Sequence, residues 1–178
     1  MDENPAELNY QGFQTRWKSY LIDNILLGLF LGIASFINIT FYQSFYIYLI
    51  TALIAVGYKP TLESMYGATL GKMLINIKVV DYDGNRINIA QAILRNIFKI
   101  TQLLLVVFFQ YAAFNDPVLL STKNYFDYQL LFQESYTGVS YISNAMFVIT
   151  MAELISMNID LKHRSLHDRI AKTVVVSC

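Results

Sequence analysis

Asp23 is a carboxylate set inside a long apolar run, seven residues after Arg16. An acid at the centre of a membrane helix costs roughly 2.5–3.5 kcal/mol on insertion scales, and less near a helix end. It therefore needs a counter-charge or a water-filled vestibule. Arg16 lies two turns away on the same helix face, about 10 Å along the axis at 1.5 Å per residue. Each of the two is better placed to pair with another helix, and Arg95 and Arg164 are further candidate cations for Asp23. Two chemistries fit this pattern. Arg16, Asp23, Asp168 and Arg95 could form a structural clasp at the helix ends, or Asp23 could hold a cation or proton. Glu153 extends the second reading, because with Asn144 and Gln110 it could line a polar path. If Asp23 and Glu153 shared a site, their like charges would force one to keep a proton, as proton-coupled cation exchange requires. Glu153 is also five residues from Asn158, which places it equally at the headgroups.

Other constellations carry less chemistry. His163 and His167 stand four apart, the spacing of two imidazoles on one helix face, but His-Arg-Ser-Leu-His lacks the glutamate of a zincin motif. Asp160, Arg164, Asp168 and Lys172 repeat every four residues with alternating sign, which predicts a ladder of helix salt bridges. Ser165 beside His167 and Asp168 is no catalytic triad, because adjacent residues on one helix point in different directions. Thr69-Leu-Gly71-Lys72 lacks the glycine and the Ser or Thr of a phosphate loop, and is read as a tight turn taking Lys72 to lipid headgroups. Gly28 and Gly32 form a G-x-x-x-G that suits close helix packing, within the subunit or between two copies. No catalytic residue, metal or cofactor is expected, and the chain is not read as an enzyme.

The elements that carry these residues are membrane helices. The 178 residues are 55% hydrophobic and only 15% charged, against roughly 25% charged in soluble domains. Thirteen basic and thirteen acidic side chains cancel, which excludes a basic nucleic-acid binder. A single cysteine, Cys178, excludes a disulfide framework. Apolar runs predict four spans at about residues 19–38, 44–65, 97–115 and 137–157, the second continuing only if Pro60 kinks the helix rather than ending it. Glu63 then lies in the headgroups or the cytoplasm. With four spans, twelve of the thirteen basic residues fall on one side and Lys123 alone on the other. Both termini are thus expected to be cytoplasmic in a cell (inner) membrane. The far-side segment, residues 115–136, reads as a loop with interfacial aromatics. The opening residues, a polar arm over 1–12, show no cleavable signal, so the first span is expected to be retained. The sequon at Asn38 reads as chance beside a tight bend.

Two segments have strand texture. Residues 75–81 alternate, Asp83-Gly84 marks a turn, and residues 86–89 resume the alternation, predicting a hairpin over 75–89. Residues 173–177 supply a third strand. Between the hairpin and the third span, residues 90–99 read as an amphipathic lead-in with Arg95 on its polar face. The fold class is an all-α integral membrane protein, a four-helix bundle with a small cytoplasmic β element.

Several of these pieces together resemble the RDD family of membrane proteins, named for one arginine and two aspartates. Arg16 matches the arginine heading the first helix, Asp23 the aspartate inside it and Asp168 the second aspartate. The family's G-x-T-x-G-K segment, with a valine-rich strand and D-G turn, is matched by Gly67, Thr69, Gly71 and Lys72 through Gly84. Its R-N is matched by Arg95-Asn96, and Arg164 opens the tail string that leads to Asp168. The resemblance spans residues 16–176 apart from the far-side loop. It implies a multi-pass membrane protein with a role in transport, some members being associated with sodium–proton exchange. The partners implied are the lipid bilayer and either further copies of the chain or a larger membrane complex, because four helices enclose little volume. The competing reading is a structural or accessory subunit.

Overall fold

A computed structural model describes residues 9–178; most of the expected N-terminal arm lies outside the described residues. The chain is mainly helical. It runs α1 (Phe13–Ile37), a π-helical turn (Asn38–Tyr42), α2 (Phe45–Tyr66), α3 (Leu70–Leu74), β1 (Ile77–Asp81), α4 (Ile89–Arg95) and α5 (Ile97–Ala113). It continues through α6 (Pro117–Ser121), α7 (Tyr125–Ser135), α8 (Thr137–Ile159), α9 (Leu166–Ala171) and β2 (Thr173–Ser177). Among the described residues, three helices are long and apolar enough to cross a membrane: α1 with its π-turn, α2 and α8. A fourth span exists if α4 and α5, which meet at 66°, count as one. The bend falls at Asn96, whose N–H turns back to the Ile93 carbonyl while its side chain donates to Ala92. Side chains such as Leu29, Ile33, Leu53, Phe108 and Phe147 are exposed, which in a membrane protein is the lipid-facing pattern.

The chain divides into two compact units. One contains the chain up to Asn24, Tyr58–Ile97 and Met151–Cys178; the other contains Ile25–Gly57 and Phe98–Thr150. The first unit holds the sheet. β1 and β2 pair antiparallel with Val79 opposite Val175. Ile77, Val79 and Val175 pack with Ile87 and Ala92 on one face; Val80, Val174 and Val176 pack with Tyr10 on the other. The expected hairpin forms only in part, since Arg86 makes a single bridge to Val80 and no strand follows. Two local bonds explain this. Asp81 Oδ1 accepts the N–H groups of Asp83 and Asn85, tightening the turn, and Asn88 then caps α4 through a reciprocal box with Gln91. The third position is taken instead by residues 9–11, where Gln11 N–H donates to Val175 and Ser177 N–H to Asn9.

The second unit corrects the reading of residues 115–136 as a loop. Asp116 and Asn124 cap α6 and α7 through the Val118 and Phe126 amides, and Pro117 starts α6. Tyr128 and Phe132 then pack with Ile39, Ala113 and Leu119. Gln43, at φ +47°, donates to the Leu120 and Thr122 carbonyls. Asn38 is buried, and its side chain closes the π-turn by bonding both the N–H and the carbonyl of Ser44. That structural duty accounts for the sequon residue. No atom within 4 Å would meet a Cβ at Gly28 or Gly32, so these glycines do not mediate close packing within the subunit.

Candidate functional site

The polar residues of the first unit assemble into two adjoining networks. α2 runs unbroken through Pro60 to Tyr66, so its exit is neither ended nor frayed there, and Tyr58 and Glu63 are carried on its last three turns. Gly67 ends it at φ +74° and receives the Val79 N–H at 2.7 Å, which joins helix to sheet. α3 follows immediately.

Asp23 on α1 is 1% exposed. Its carboxylate accepts the Tyr58 hydroxyl at 2.9 Å, the Thr69 hydroxyl at 2.6 Å and the Gly71 amide at 2.9 Å. These three donors are all uncharged. Thr69 occupies the N-cap position of α3, yet its hydroxyl serves Asp23 rather than the helix. Glycine at 71 permits the approach: a Cβ there would lie 2.9 Å from Asp23 Cγ and would overlap the Ser19 carbonyl oxygen. Arg16 and Arg95 are engaged elsewhere, and Arg164 pairs with Asp160 at 2.8 Å and stacks on Tyr82.

The second network is a chain of charges. Arg16 Nη2 meets Asp168 Oδ2 at 2.5 Å, and its Nη1 donates to the His163 carbonyl at 2.7 Å. The other Asp168 oxygen pairs with Arg95, which also donates to Thr173 Oγ1 at 2.6 Å and, through Nε, to Glu63 Oε2 at 3.0 Å. Glu63 Oε1 pairs in turn with Lys72. Arg16, Asp168, Arg95 and Glu63 are all buried. With Asp23, the two networks hold three cations and three carboxylates. Burial alone would raise the Asp168 carboxyl, but the Arg16 and Arg95 guanidinium groups outweigh it and hold the group well below the usual carboxylate range. Burial pushes the Lys72 ammonium below its usual value, against the pull of Glu63.

Arg16, Arg95 and Asp168 are therefore brought together, while Asp23 is held by its own set of donors. Lys72 is half-buried and pairs with Glu63, instead of standing free at a turn as expected. Tyr58 is the residue missed as a donor to Asp23, and Glu63, already carried on the second span by its extension past Pro60, was not connected to Arg95 or Lys72. No hydrogen bond joins Asp23 to Glu153 among the described residues. Glu153 Oε1 instead faces His167 Nδ1 at 2.6 Å.

The tail departs from the expected single helix. His163 has φ +51° and α9 starts only at Leu166, so His163 and His167 share no helix face. Of the four-residue ladder only Asp160–Arg164 pairs, outside any helix. Ser165 Oγ does lie 3.0 Å from His167 Nε2, a contact the divergence argument had ruled out. It is no nucleophile: Ser165 is 0% exposed and its hydroxyl sits 2.8 Å from the Asp168 carboxylate, where an oxyanion would be repelled.

Comparison with curated proteins and with solved structures finds no match. The RDD family model matches residues 10–172, a stretch that contains Arg16, Asp23, Asp168 and every partner named above except Thr173. The chain is a member of the RDD family of membrane proteins.

Proposed function

We propose that this RDD-family protein moves small cations or another small solute across a cell inner membrane, with Asp23 as the ion-responsive group. The single observation that carries the reading is Asp23 itself, an acid buried on a membrane-spanning helix and met by two hydroxyls and an amide rather than by a guanidinium. Tyr58 OH and Thr69 Oγ1 can rotate their protons away and present lone pairs. Asp23, Tyr58 and Thr69 then offer oxygen ligands that suit a hard cation, and a proton on Asp23 would compete with it. In this reading α4 and α5 form one span, giving four, and both termini lie on the cytoplasmic side with the β element. A homo-oligomer supplies the volume that four helices lack. No residue is assigned a catalytic role.

Cation-dependent proton flux in proteoliposomes, parent against Asp23→Asn, tests it. We expect flux in the parent and at least a tenfold loss in the variant. No flux at any pH in the parent excludes transport, and full flux in Asp23→Asn removes the site. The saturated chain from Arg16 to Lys72 favours a second reading, an accessory subunit whose charges only set shape. That reading expects a stoichiometric partner to co-purify from native membranes.

A further inference from the structure

Glu153, His167, Ser165 and Asp168 form a chain that the Asp23 reading does not use. His167 Nδ1 lies 2.6 Å from Glu153 Oε1, His167 Nε2 lies 3.0 Å from Ser165 Oγ, and Ser165 Oγ lies 2.8 Å from Asp168 Oδ2. Ionised carboxylates only accept hydrogen bonds, so three contacts in series need three protons. An imidazolium supplies two and the serine hydroxyl one, and every contact is then satisfied in one direction. A neutral imidazole supplies one. With its proton on Nδ1, the serine must choose between His167 and Asp168, and one contact is lost inside a residue that water does not reach.

The surroundings agree with a cation at this ring. Glu153 faces it from α8, and Asp168 Oδ1 stands 3.5 Å from Nε2 on its own helix. Behind Asp168 stand Arg16 from α1 and Arg95 from α4, the latter also held by Thr173 of β2. Both guanidinium groups are already committed to Asp168, which leaves Glu153 to His167. On the approach to α9, Asp160 is engaged by Arg164 and Arg169. The imidazole side chain is 23% exposed, so solvent can exchange its proton.

We propose that His167 is a protonation latch that fastens the end of α8 to α9 and the Arg16–Asp168–Arg95 clasp. The latch is complete when the ring carries both protons and loosens when one leaves. The contribution is therefore present while both ring nitrogens are protonated and lost as rising pH removes one proton.

The test uses the full chain in nanodiscs. Ring-nitrogen NMR resolves two histidines, and His163→Asn assigns them, since asparagine tolerates the left-handed backbone at that position. Across a pH titration we expect both His167 nitrogens protonated at the acid end, with the remaining proton on Nδ1 once the first has left. The melting temperature should favour the parent over His167→Gln by about 2–4 °C more at the acid end than at the alkaline end. Glu153→Gln should erase most of that difference. A neutral ring throughout the titration, or pH profiles that coincide for parent and His167→Gln, overturns the latch. If His167→Gln does not fold, the NMR of the parent decides alone. Neither readout involves flux, so failure here and failure of the Asp23 reading are distinct.

Discussion

Gly71 and Gly28 have the same side chain and opposite surroundings, so they separate packing from composition. Gly71→Ala must push the first turn of α3 away from Ser19 and Asp23. We expect a loss of about 1–3 kcal/mol, the usual range for overpacking, read by thermal unfolding in detergent. Gly28→Ala meets no atom within 4 Å and should leave the monomer's stability unchanged. Asp168 is the other decisive residue. Asp168→Asn strands Arg16 in a buried site and leaves Arg95 with Glu63 alone, with an expected cost of about 3–5 kcal/mol. Its pH dependence has a definite sign. A carboxyl held low in the folded state contributes stability above its unfolded range and loses it as pH falls toward the folded value. Acid titration of unfolding should therefore show a loss below about pH 4 that is steeper in the parent than in Asp168→Asn.

The elements show where sequence reading succeeds and where it stops. Apolar runs announce α1, α2 and α8 because a membrane span is dictated by length and hydropathy alone. The strand at 173–177 was equally legible, since three valines in a row fit little else once both sheet faces are covered. The second arm of the hairpin was not, because Asp81 and Asn88 use side-chain bonds to the backbone to end it after one bridge. The helices of 115–136 were hidden for the related reason that Asp116 and Asn124 look like loop residues until they cap. At the site, residue types were legible but pairings were not: periodicity assigns a face, whereas the partner of Asp23 depends on α3 folding back beside α1. Asn88 tests the capping argument. Asn88→Ala removes the side-chain half of its box with Gln91, leaving only the backbone N–H of residue 88 on the Gln91 side chain, and should cost about 1 kcal/mol, measured by thermal unfolding. Asn88→Asp should recover most of it.

At the scale of the whole molecule the arrangement of charge matters more than its total, which is zero. Twelve basic residues on one side of a four-span topology against Lys123 on the other predict which face each loop meets. The lone cysteine makes this directly testable, because Cys178 is exposed. A membrane-impermeant maleimide should leave Cys178 unlabelled in intact cells and label it after permeabilisation. Lys123→Cys in a Cys178→Ser background should behave oppositely, since residue 123 is exposed between α6 and α7. Labelling of Cys178 from outside would overturn this topology. If α4 and α5 turned back rather than crossed, residue 123 would label only after permeabilisation and Cys178 from outside, because α8 still separates the two positions. Three spans would then part Arg16 from Asp168, whose side chains meet at 2.5 Å, so crossing is the outcome expected.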